Sequence, residues 1–257
     1  MKVTVLGCGP SAGVPTIGQI WGKCDPSNPK NRRRRAAIAV EDRGATILVD
    51  TPPDLREGLL ACDIGRIDAV IFTHAHADHI HGIDDLRVPS WSLKRPIPAY
   101  GSVKTFATLH ERFGYTIDGV KQANASGYYY QPIIEPHPGG SHFIAAGVPV
   151  TTFEQTHGRT ASLGLRFGAF AYSTDVFALD AAAFAALEGV EVWMVDCLRR
   201  EPHVTHSHLP QTLAWIERVG ARHAILTHMD DSLDYETLRR ELPPNVEPAF
   251  DGMIFEV

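Results

Sequence analysis

The run Thr73-His74-Ala75-His76-Ala77-Asp78-His79 gathers three imidazoles and a carboxylate directly after the apolar stretch Ala69-Val70-Ile71-Phe72. Imidazole and carboxylate are the usual ligands of zinc, manganese and iron. Packed this closely, protonated rings would repel one another. A bound cation removes that conflict by selecting the neutral form. A strand end that turns sharply into a loop can aim several such groups at one point, so His74, His76, Asp78 and His79 are read as metal ligands. A solvated turn would account for any one of them alone, but not for four so close together.

One motif does not complete a metal site. His157 follows the stretch Thr152 to Thr156, Asp175 follows Tyr172-Ser173-Thr174, and His228 follows Ala224-Ile225-Leu226-Thr227. Each stands one step beyond an apolar run, although Asp and His are also common in turns. Strand ends that converge on one edge would bring all three to the motif. Two adjacent divalent cations held this way can share a water molecule, lower its pKa towards neutrality and clamp phosphoryl oxygens. A leaving alkoxide then needs a proton. His206 is the first candidate for that acid and His208 the second, because an imidazole can donate near pH 7. Asp78 is counted with them among the catalytic residues. The plain alternative for His203, His206 and His208 is a solvated loop.

The elements that must carry these residues are legible as apolar runs. Lys2 to Leu6, Ala36 to Val40, Thr46 to Asp50 and Ala69 to Thr73 read as strands, with helical spacing over Pro53 to Cys62 and Ser102 to Phe113. Later strands are expected at Val148 to Glu154, Leu163 to Phe167, Phe170 to Ser173, Val190 to Val195, His223 to Thr227 and Met253 to Val257. Helices are expected at Leu179 to Leu187, Leu209 to Val219 and Tyr235 to Leu242. Strands followed by helices in both halves point to one domain, residues 1–257, of two packed sheets flanked by helices. Residues from about 114 to 146 are less regular and read as a lid or insertion. They include Tyr128-Tyr129-Tyr130, either an edge hairpin or an aromatic wall for a base or sugar.

Composition narrows the function classes. A formal net charge of -6 argues against a stable nucleic-acid partner. The run Arg32-Arg33-Arg34-Arg35 is a local exception, either a solvated loop or a phosphate clamp, and Arg35 is a candidate substrate contact. Gly7 to Gly13 could offer backbone N–H groups to a phosphate, with Ser11 a second contact, or could simply be tight turns. It lacks the Lys and Ser/Thr of a P-loop. Cys8, Cys24, Cys62 and Cys197 form no Cys-x-x-Cys pair, so reduced thiols and a cytoplasmic setting are expected. No apolar run is long enough to cross a bilayer, and the opening residues read as a strand rather than a secretory leader.

The order Asp50, His74-x-His76-x-Asp78-His79, His157, Asp175, His228 resembles the metallo-β-lactamase superfamily over nearly the whole chain. That resemblance implies an α/β fold, an αββα four-layer sandwich of two mixed β-sheets flanked by helices. It implies one metal held by His74, His76 and His157, a second by Asp78, His79 and His228, and Asp175 bridging them. Asp50 would orient ligands without binding. The segments Gly7 to Pro15 and Thr205-His206-Ser207-His208-Leu209 resemble the phosphodiesterase branch. That branch includes the phosphoribosyl 1,2-cyclic phosphate phosphodiesterase and, more remotely, the tRNA-processing nucleases, whose long extruded arm this chain lacks. Only Cys24 stands where the former has clustered cysteines, so the resemblance carries no third, structural zinc here.

The expectation is therefore a hydrolase using two divalent ions, Zn or Mn with Fe also compatible. Through a metal-bridging hydroxide it would cleave a small cyclic or nucleotide-like phosphodiester. Metal-dependent thioester or lactone hydrolysis and a tRNA-processing-type nuclease are the alternatives. The expected partner is a small phosphorylated substrate, and a homodimer is compatible with the sequence.

Overall fold

Alternation within each strand decides which side chains meet between the sheets. In the computed structural model, which describes residues 1–119 and 131–257, Ile47 and Val49 of one strand join the inter-sheet core while Leu48 between them joins a second core under the helices. The first sheet comprises β1 (Lys2–Gly7), β2 (Ala37–Asp42), β3 (Ala45–Val49), β4 (Ala69–Ile71), β5 (Ile97–Gly101), β6 (Ile134–Pro138) and, beside β1, β14 (Ile254–Glu256). The second comprises β7 (His142–Ala145), β8 (Val148–His157), β9 (Thr160–Phe167), β10 (Phe170–Ser173), β11 (Val192–Asp196), β12 (His223–Thr227) and β13 (Val246–Pro248).

Both sheets are mixed. β3 to β6 run parallel to one another, as do β10 to β13, while β1 to β3 and β7 to β10 pair antiparallel. The inner parallel strands β4, β11 and β12 are buried on both faces, which explains their continuous apolar sequences. Helices α1 (Leu55–Ala61), α2 (Ala77–Ile80), α3 (Arg87–Leu93) and α4 (Val103–Asp118) follow the early strands. Helices α5 (Ala181–Ala186), α6 (Leu209–Val219) and α7 (Tyr235–Glu241) follow the later ones. Leu55, Leu59, Ile80, Phe106 and Leu109 pack on the outer face of the first sheet, against Leu48, Val70 and Phe72. Ala183, Leu209, Ile216 and Leu238 join the core of the second. The result is an αββα sandwich.

The segment from 114 to 146 is partly framework. Its first residues end α4, and β6 and β7 supply an edge strand to each sheet. Tyr128, Tyr129 and Tyr130 lie outside the described residues. Among the described residues, no helix is long and apolar enough to cross a membrane.

Candidate metal centre

Three strand ends turn sharply at the same edge of the sandwich. Asp50 after β3, Asp175 after β10 and His228 after β12 take positive φ values of 65°, 53° and 59°. Such left-handed backbone is uncommon for residues other than glycine and persists only where the surroundings enforce it. Hydrogen bonds do so here. Asp50 N–H donates to the Ile71 carbonyl at 2.9 Å, and Ser162 Oγ donates to the Asp175 carbonyl at 2.8 Å. The loop after β4 is tied to the second sheet by Leu163 N–H, which donates to the Thr73 carbonyl at 3.0 Å. The two sheets thus share one rim.

Three clusters of metal-binding side chains occupy that rim. They are His74, His76, His157 and Asp175; then Asp78, His79, Asp175 and His228; then Asp196, His206 and His228. Within each, one ligand atom per residue lies within 4.8 Å of the others. Asp175 belongs to two of them through different oxygens. Its Oδ1 lies 3.8 Å from His74 Nε2 and 3.5 Å from His157 Nε2. Its Oδ2 lies 3.0 Å from His79 Nε2 and 3.4 Å from His228 Nε2.

The far sides of the His74, His79 and His157 rings are fastened. Asp50, fully buried, accepts from His79 Nδ1 at 2.7 Å and from Thr73 N–H and Oγ1–H at 2.8 and 2.7 Å. Thr73 Oγ1 also sits 3.0 Å from His74 Nδ1. His157 Nδ1 donates to the Thr205 carbonyl at 2.7 Å. These contacts fix the tautomer and turn Nε2 of His79 and His157 towards the clusters, where His157 Nε2 lies 3.2 Å from His76 Nδ1. Nε2 of His74, His79 and His228 is buried without a hydrogen-bond partner. Buried polar atoms are rarely left so, and their convergence fits a cation that would satisfy them.

Electrostatics agree. Burial works against charge on His79, yet Asp175 and Asp50 outweigh it and raise its pKa well above the usual imidazole range. Burial also opposes charge on His228, but Asp175, Asp78 and Asp196 lift it to about 9. Burial lowers His74, His76 and His157. Asp175 is buried too, but His228, His79 and His74 hold it well below the carboxylate range. The carboxylates attract positive charge into a place where burial resists protons on three rings. A divalent cation can replace those protons.

All seven expected ligands, His74, His76, Asp78, His79, His157, Asp175 and His228, meet at this rim, with Asp50 behind them. His206 joins them, its Nε2 3.8 Å from Asp175 Oδ1 and its ring stacked 4.7 Å from that of His228. His208 does not. It stands at the N-cap position of α6 without a side-chain capping bond, and its Nδ1 lies 3.1 Å from Gln211 Oε1. Sequence reading missed Asp196, which is fully buried at the end of β11. It accepts from His206 Nδ1 at 3.2 Å and from the Val176 and Ser207 amides at 3.2 and 3.3 Å. The signal was present, since Asp196 closes an apolar strand as Asp50 does.

The arginine run is mainly a fastening. Arg33 is 2% exposed and donates to the carbonyls of Asp230 and Leu233 at 2.9 and 2.6 Å. Arg34 donates to the Leu6 carbonyl at 2.8 Å, and Arg35 pairs with Asp54 at 3.1 Å while donating to the Ser11 carbonyl. Ser11 and Arg35 are thus joined to each other. The glycine-rich turn reaches the rim through Met229 N–H, which donates to the Cys8 carbonyl at 2.9 Å. Among the described residues Cys24 joins no metal-binding cluster, and its sulfur lies 3.8 Å from Arg33 Nη1.

Residues 45–229 match the β-lactamase superfamily domain. With the histidine and aspartate rim, this match decides the family. The chain belongs to the metallo-β-lactamase superfamily. Within it, the chain is 35% identical to a diphosphatase of the PhnP family of known structure, covering 100% of this chain and 97% of that one with a TM-score of 0.87. It is 28% identical over 98% of its length to an octanoyltransferase from Porphyromonas gingivalis, and spans only about half, 51%, of that curated relative. A stretch of 62 residues is 39% identical to a ribonuclease Z from Bradyrhizobium diazoefficiens, covering 23% of this chain and 21% of that one. As a metallo-β-lactamase-fold protein with this rim, it is a metal-dependent hydrolase, and the superfamily's divalent ions suit the donor set.

Proposed function

We propose that this chain is a dinuclear phosphodiesterase acting on a small cyclic or nucleotide-like phosphodiester in the cytoplasm, where its four free cysteines would stay reduced. The observation that carries the reading is the two-sided placement of Asp175, one oxygen towards each imidazole set. His74, His76 and His157 would hold one ion, Asp78, His79 and His228 the other, with Asp175 between them. Zinc or manganese suits these ligands, and iron is compatible. When bound, such a pair acidifies water and offsets charge on phosphoryl oxygens.

The chain's own residues supply the rest. Asp50, Thr73 and the Thr205 carbonyl keep rings of the ligand set oriented, which spares the reaction that reorganisation. Asp196 accepts from His206 Nδ1, so the other nitrogen, Nε2, faces Asp175 and the ligand clusters. From there His206 gives a proton to the departing alkoxide, while Asp196 holds its ring in place. A diphosphate linkage is a second reading, favoured by the 35% identity to a PhnP-family diphosphatase. It asks the same of the ligand residues but less of His206, because a departing phosphate needs less protonation than an alkoxide. The similarity to a ribonuclease Z favours a phosphodiester but spans only 62 residues.

The test is a screen of metal-loaded protein against bis-p-nitrophenyl phosphate, cyclic nucleotides, dinucleoside diphosphates, a thioester and a lactone. Turnover of the phosphate compounds with none of the acyl esters is expected. Turnover of the thioester or lactone alone would overturn the reading.

A further inference from the structure

A cleft of about 670 Å³ borders the metal-binding rim, with His76 and His157 among its lining residues. Phe177 and Val204 line it and are 37% and 77% exposed. Apolar side chains on a mobile loop could fold away from water, but the backbone of Phe177 is pinned on both sides. Its N–H donates to the Thr156 carbonyl at 2.7 Å, and its carbonyl accepts from Gln211 Nε2 at 2.9 Å. Next to Val204, the Thr205 carbonyl is held by His157. The fold therefore keeps two apolar groups in water beside the centre, a cost that a covering ligand would remove.

The mouth of the cleft is basic. Arg159 stands in the two-residue turn of the hairpin between β8 and β9, where Gly158 takes φ +60°. Among the described residues Arg159 has no ion-pair or hydrogen-bond partner. Lys104 reaches the same place, donating to Thr160 Oγ1 at 3.5 Å. An apolar wall with a guanidinium at its mouth suits a flat aromatic ring, which can lie against both kinds of group. It suits a bare sugar poorly, because hydroxyls placed against Phe177 and Val204 would lose hydrogen bonds to water.

We infer that this cleft takes a planar aromatic arm of the substrate, a nucleobase or aryl group, seated on Phe177 and Val204 while the phosphoryl group faces the ligand clusters. This rests on the phosphoesterase reading and narrows it to aromatic rather than plain sugar esters.

Calorimetry on metal-loaded protein tests the cleft whether or not any ester is turned over. The probes are AMP, ribose 5-phosphate and inorganic phosphate. AMP should bind about tenfold more tightly than ribose 5-phosphate, the scale of stacking one base on an aromatic side chain. Phe177→Ala should bring the two to within about twofold, leaving inorganic phosphate unchanged. Val204→Ser, at a more exposed position, should narrow the gap in the same direction and guards against loss of folding in the first variant. Equal affinity for AMP and ribose 5-phosphate in the wild type, or a preference that survives both substitutions, overturns the inference. A base preference without turnover of bis-p-nitrophenyl phosphate would keep the cleft assignment and refute phosphodiester hydrolysis.

Discussion

His206 shows how much one side chain depends on its supports. Its Nδ1 faces the buried carboxylate of Asp196, which two backbone amides also hold, and its ring stacks on that of His228. It belongs to neither cluster built on Asp175, only to the smaller one it forms with Asp196 and His228. His206→Ala should therefore keep bound metal while turnover of a phosphodiester with a poor leaving group falls about a hundredfold or more. Asp196→Asn should show a smaller loss of the same kind. A p-nitrophenolate leaving group needs little protonation, so activity on bis-p-nitrophenyl phosphate should suffer less. Equal losses on both substrates in His206→Ala would point to structural damage, and unchanged turnover would remove His206 from the mechanism. At this scale the sequence was informative where chemistry repeats a pattern. The seven ligand candidates lie together as their positions at the ends of apolar runs suggested, and His206, read from a loop of histidines, joins them. His208 shares the same loop and residue type, but the direction of a ring near a helix start depends on local partners, here Gln211. Asp196 was overlooked because a single carboxylate at a strand end has no neighbouring motif to draw notice.

The elements bearing the motif are short and closely fitted. Helix α2 spans only Ala77–Ile80 yet carries Asp78 and His79. It is held to the loop after β3 by Thr51 N–H, which donates to the His79 carbonyl at 2.8 Å, and by Gly82 N–H, which donates to the Thr51 carbonyl at 2.8 Å. A Cβ on Gly82 would stand 2.0 Å from the Pro52 carbonyl oxygen. Gly82→Ala must push α2 away from Asp50, at a cost of about 1–3 kcal/mol. Denaturant melts should show that loss, and metal content should fall although every ligand is present. Wild-type stability and metal content in this variant would contradict the packing argument.

Short elements were also where sequence reading stopped. A single helical turn is too short for a 3.6-residue period to show. Helix α3 contains Pro89, which the first turn of a helix tolerates but which reads as a breaker. Strand β6 runs Ile-Glu-Pro-His-Pro and is permitted its prolines by its place at a sheet edge. The buried strands β4, β11 and β12 were legible because both of their faces are apolar.

At the scale of the molecule, two seven-stranded sheets bring the ends of strands far apart in sequence to one rim. Asp50 and the motif at 74–79 come from the first sheet. His157, Asp175, Asp196 and His228 come from the second. Neither sheet alone assembles a complete ligand set, so the site depends on the packing between them. That dependence was visible in the sequence only as an order of residues. The pairing of strands that realises it lies in contacts across the whole chain, such as Leu163 with Thr73. Asp175 is the residue on which both ligand sets turn. Elemental analysis of metal-loaded, desalted protein, wild type beside Asp175→Ala, tests this most directly. About two divalent ions per wild-type chain are expected, with loss of most of both in the variant. A wild type that retains no ion after loading, or a variant that keeps its full complement, would contradict this expectation.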